Sequence, residues 1–140
     1  MAKEGRVKLT QPVNQGKKIH LDTSKIEIYN FQHPIFCFKY LQKDYHLDKC
    51  IQEEQVSLIT QIVAISQLTW TQLQFAPKHG IGSEKIARNS IKAGMPDIVT
   101  DDVDHFLAFR FHGKAPFVGI RNRFIFHVIY LDRGFTLYKH

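Results

Sequence analysis

Residues 124–131 read FIFHVIYL, and every position except His127 is apolar. A strand that is apolar on both faces has to be covered on both sides, so this segment asks for a central strand with one layer above and one below. The neighbouring segments supply the rest of the sheet. HFLAFRFH (105–112) alternates, with Leu107, Phe109 and Phe111 pointing one way and Ala108, Arg110 and His112 the other. A turn over 113–116 leads to FVGIR (117–121), where Gly119 and Arg121 oppose Val118 and Ile120. Asn122-Arg123 reads as a tight turn and Asp132-Arg133-Gly134 as another. FTLYKH (135–140) reads as a last strand in which Tyr138 and His140 share a face. The last third is therefore expected to be an antiparallel meander of up to four strands.

The connection at Asn122 decides where His127 points. A two-residue loop puts Phe124, Phe126 and Val128 on the face of Arg121. A three-residue loop with a bulge puts Ile125, His127 and Ile129 there. The sequence leaves both open. One arrangement of the meander gathers Arg110, His112, Arg121, Tyr138 and His140 on a common concave surface, with Gly119 leaving room for a ligand backbone.

Upstream, residues 1–24 are polar and turn-rich and read as an arm, and 25–140 as a single domain. KIEIYN (25–30) and IFCFKYL (35–41) read as strands, with Pro34 at the start of the second, where a missing N–H is tolerated. Ile51, Val56, Ile59, Ile62 and Val63, flanked by Leu58, recur near the helical period behind Asp48 as a cap. Thr69 and Gln72 have capping-box spacing for a second helix, with Trp70, Leu73 and Ala76 on one face and Trp70 in the core. Pro77 ends it. Ser83 is placed to cap a short basic helix carrying Glu84, Lys85, Arg88 and Lys92, closed by Gly94 and Pro96. The class expected is α+β, with helices packed on a C-terminal antiparallel meander.

The 140 residues carry a net charge of +6, with 44% apolar and 23% charged residues, values normal for one globular domain. The excess is concentrated. From His105 onward Arg110, Lys114, Arg121, Arg123, Arg133 and Lys139 face one acid, Asp132, and an acidic cluster of Asp97, Asp101, Asp102 and Asp104 precedes them. A one-sided basic face suits a phosphate-bearing partner, and it equally suits a solvated edge that resists aggregation. No apolar run reaches membrane-helix length, so no membrane partner is expected. MAKEGRVKLTQPVNQGKK has no apolar signal-like stretch, and with Cys37 and Cys50 as two reduced thiols the expected location is cytoplasmic. His105, His112, His127 and His140 lack partners at ligand spacing, so neither a metal nor another cofactor is expected.

The series FLAFRF, FVGIR, FIFHVIYL and FTLYKH, behind a strand and a helical pair, resembles the RelE/ParE superfamily of toxins from bacterial toxin–antitoxin systems. The likeness spans roughly 50–140 and is sharpest over 105–140: an Arg-bearing strand, a second Arg, a hydrophobic strand, and aromatic and basic residues at the chain end. FQHPIFCFKYL, GIGSEKI and the region before the first helix match nothing in that pattern. The resemblance implies a metal-independent endoribonuclease, free or on the ribosome, with RNA as substrate and an acidic antitoxin as partner. It also admits, as alternatives behind the nuclease, a ParE-like toxin that binds a protein without catalysis, or a nucleic-acid-binding accessory protein. Cleavage by the 2′-OH needs a base, an acid and cations for the phosphate. Arg110 and Arg121 are the expected phosphate clamps, His140 or His112 the acid, Tyr138 a stacking or orienting group, and Glu84 the base. Lys85, Arg88, Lys114, Arg123 and Lys139 are the expected backbone contacts. Each has a plainer role: Glu84 as a helix N-terminal carboxylate, His127 as a core histidine with a backbone partner, and Tyr138–His140 as a frayed tail unless Phe135 and Leu137 tether it.

Overall fold

A five-stranded mixed sheet organises residues 28–140, the part of the chain that the computed structural model describes. The expected arm over 1–24 and the start of the KIEIYN segment lie outside these residues. The strands are β1 (Ile35–Cys37), β2 (Glu84–Ala87), β3 (His105–His112), β4 (Ala115–Asn122) and β5 (Ile125–Leu131), in the order β1-β5-β4-β3-β2. β1 runs parallel to β5, and every other pairing is antiparallel. Between β1 and β2 lie the α-helices α1 (Gln52–Ser66) and α2 (Trp70–Phe75). The class is α+β.

β5 meets the demand its sequence makes. Phe126 and Val128 face a core built with Leu58 and Ile65 of α1 and Trp70 and Leu73 of α2. Ile129 and Tyr130 face a second core with Ile86, Val99, Leu137 and Tyr138. Helices cover one side, and loops plus the chain end cover the other. The Tyr130 hydroxyl donates to the Gly94 carbonyl at 2.8 Å and pins one of those loops. Burial, reinforced by Tyr45, pushes the Tyr130 phenol up to about 12, so it stays a donor.

A two-residue connection, Arg123-Phe124, joins β4 to β5, one position later than the expected turn. It pairs Arg121 with Phe126 and Ile120 with His127, so His127 faces away from Arg121. Its ring lies against Tyr40 with centroids 5.7 Å apart. The expected backbone partner is missing: among the described residues its Nδ1 makes no hydrogen bond. Further along, the register shifts between Val118 and Gly119, so Ile129 and Tyr130 both turn to the second core. Gly119 belongs to this irregularity. A Cβ there would overlap the His127 carbonyl, so the space expected for a ligand is filled by β5 itself.

Several other expectations change. Residues 28–30 are helical rather than extended, and IFCFKYL is strand only over Ile35–Cys37. Asp48 lies in a separate single turn, Leu47–Lys49, and α1 is capped by its own Glu54, which accepts the Ile51 N–H at 2.9 Å. The apolar stripe of α1 is only partly core. Leu58 and Ile65 are buried, whereas Val56, Ile59 and Val63 are 59%, 57% and 55% exposed. The capping box of α2 forms as read, with Gln72 N–H donating to Thr69 Oγ1 and Thr69 N–H to Gln72 Oε1.

The expected basic helix after Ser83 is an edge strand. Ile86 and Ile91 are too far apart for one helical face, while Glu84/Ile86 and Lys85/Ala87 alternate as an edge requires. FTLYKH is not a strand either. The buried Asp132 carboxylate accepts the N–H groups of Thr136 at 2.8 Å and Leu137 at 3.1 Å, which folds the segment into turns. Leu137 then plugs the second core, so the chain end is pinned without a ladder.

Candidate functional site

The alternation of β3 places Arg110 on the second-core face, next to Glu84, whose partner across β2 and β3 is Ala108. Arg110 Nη2 donates to Glu84 Oε2 at 2.9 Å and Nη1 to the Lys114 carbonyl at 3.1 Å. Lys78 Nζ sits 3.8 Å from the other Glu84 oxygen. Glu84 is therefore neutralised by cations, and orienting Arg110 suits it better than acting as the expected base.

The chain end closes on the same face. Tyr138 is buried, and its hydroxyl makes no hydrogen bond among the described residues. Burial first, then the nearby Glu84 and Asp132 charges, raise its phenol above the ordinary value against the pull of Arg110. The hydroxyl thus keeps its proton at neutral pH. His140 packs against Tyr138 with ring centroids 4.1 Å apart, and its Nε2 lies 3.3 Å from Asp132 Oδ2. A carboxylate at one ring nitrogen orients the imidazole and leaves the other nitrogen for a substrate. Sequence reasoning treated Asp132 as a turn residue. Its signal was available: it is the only acid after His105 in a basic block.

Glu84, Arg110, Tyr138 and His140 therefore converge, with Lys114 and Lys139 exposed beside them. The other expected residues do not join. Arg121 lies on the helix face, its guanidinium 4.3 Å over the Trp70 ring, so it cannot close with Arg110 on one phosphate. The common concave surface is thereby reduced to one cluster. His112 is turned toward α1 by a register shift near the end of β3, and its Nδ1 lies 2.9 Å from Ser57 Oγ. Arg88 is committed to the carbonyls of Thr100 and Val103 at 2.6 and 2.9 Å, where it fixes a loop. Arg123 lies 5.7 Å over the Tyr29 ring, and Lys85 lies on the helix side of β2.

A groove of about 760 Å³ lies elsewhere, between α2 and the ends of β3 and β4 that include Leu107 and Arg121. Among the described residues no group of three or more His, Cys, Asp or Glu side chains is placed to hold a metal, and no helix is long and apolar enough to cross a membrane. No family model, curated protein or solved structure matches the chain.

Proposed function

We propose that this protein is a RelE-like, metal-independent endoribonuclease whose working groups are Arg110, Tyr138 and His140, with Asp132 and Glu84 positioning them. The observation that carries the proposal is the convergence of a guanidinium, a protonated phenol and a carboxylate-oriented imidazole on one face of the sheet. In this reading the 2′-oxygen attacks the adjacent phosphorus as His140 takes its proton. The P–O5′ bond breaks, and the leaving oxygen is protonated by solvent, while Tyr138, whose hydroxyl is buried, packs on the His140 ring and orients it. Arg110 holds the phosphate oxygens through N–H groups that Glu84 and Lys114 leave free. Lys114 and Lys139 lie where the RNA backbone would pass. Arg121, His112 and Arg88 have no part in it.

The test is induced expression of the wild type beside Arg110→Ala and His140→Ala, with mapping of RNA ends. New ends bearing 2′,3′-cyclic phosphate in the wild type alone support the proposal. Equal cleavage by all three would remove this cluster from the reaction, and no new ends in any would remove the activity.

A second reading has one observation in its favour. The exposed Val56, Ile59 and Val63 lie along one side of α1, as a protein-binding toxin without catalysis would need. It expects growth arrest that survives His140→Ala.

A further inference from the structure

In the groove at the far end of the sheet, Arg121 carries a positive charge that has no ion-pair partner among the described residues. Arg121 is half-buried and stacked on Trp70, and two of its N–H groups go to neutral oxygens: Asn30 Oδ1 at 2.7 Å and the Arg123 carbonyl at 2.6 Å. Among the described residues no carboxylate forms an ion pair with it, whereas Arg110 has Glu84 and Arg133 has Glu54. Burial alone pulls Arg121 below its ordinary value, the direction expected of a cation that has lost water without gaining a counter-ion. The stack on Trp70 fixes the guanidinium plane. Asn30 accepts through its oxygen, which leaves its NH₂ as a second donor, and Asn122 at the groove edge adds a third. Asp102 and Asp104 also line the groove, but they are engaged by Thr100 and His105.

We propose that this groove is a binding site for a small oxyanion ligand, a carboxylate or a phosphate group gripped by Arg121 with the amides of Asn30 and Asn122. A planar guanidinium with open N–H groups matches two oxygens of such a group, and the ligand supplies the ion-pair partner that Arg121 lacks among the described residues. The site lies on the opposite face from Arg110, so it stands or falls separately from the RNA-cleavage reading.

The experiment is a two-dimensional NMR titration of the full chain with sodium phosphate and, separately, sodium acetate. Sodium chloride at matched ionic strength is the control. The readouts are the Arg121 Nε–H and the indole N–H of Trp70, the only tryptophan in the chain. The expected result is a saturable shift of both signals with at least one oxyanion and none with chloride. The salt that saturates at lower concentration identifies the ligand group. Arg121→Gln should abolish the effect. Because Arg121 also packs on Trp70, Asn122→Asp serves as the variant that leaves that stack alone: a carboxylate at the groove edge should weaken binding about tenfold. Saturation by neither oxyanion, equal shifts with chloride, or unchanged affinity in Asn122→Asp would overturn the proposal.

Discussion

His127 and Gly119 show how single residues are fixed by what lies directly against them. His127 is only 9% exposed and its Nδ1 is unpartnered among the described residues, a combination that costs about 1–3 kcal/mol for a buried polar atom. Burial lowers its pKa below the ordinary 6.5. The unfolded chain therefore takes up this proton first as pH falls. The stability that neutral His127 contributes is complete above about pH 6.5 and is lost as pH drops toward the lowered folded value. His127→Leu should raise stability by about 1 kcal/mol and flatten its decline between about pH 7 and 5, as measured by urea denaturation at a series of pH values. Gly119→Ala should act in the opposite direction. Its methyl group would run into the His127 carbonyl, and the loss should be about 3 kcal/mol on the same denaturation curves.

At the scale of elements, the β4–β5 connection carries measurable strain. Arg123 adopts φ 60° at the first position of a two-residue loop, where glycine is preferred. Arg123→Gly should gain about 0.5–1 kcal/mol, seen as a higher melting temperature, less whatever its contact with Tyr29 contributes. The hairpin elements were the most legible part of the sequence, because alternation over 105–112 and the doubly apolar 124–131 each allow few structures. The Ser83–Lys92 helix and the FTLYKH strand were not legible correctly. Residues 84–87 were decided by pairing with Phe106 and its neighbours, and the chain end by one buried carboxylate, Asp132. Both are contacts between distant segments, which local periodicity does not contain. The stripe on α1 misled for a related reason: periodicity marks an apolar face but not how much of it a sheet of this width can cover.

On the scale of the whole molecule, the sheet separates the basic residues of the last third, apart from Arg133, which pairs with Glu54, into two groups. Arg110, Lys114 and Lys139 gather with Tyr138, His140 and Asp132, while Arg121 and Arg123 sit at the other end with Trp70 and Tyr29. Four of the six expected catalytic residues, Arg110, Tyr138, His140 and Glu84, do meet. The error over Arg121 came from β4, whose face relative to β3 depends on pairing register rather than composition. The proposed metal-free RNA cleavage by the first group calls for single-turnover cleavage of RNA by the purified chain in excess chelator, with and without ribosomes. The expected result is cleavage leaving 2′,3′-cyclic phosphate ends, slowed about 10²-fold or more in His140→Ala. No cleavage under either condition, or an unchanged rate in His140→Ala, would contradict it.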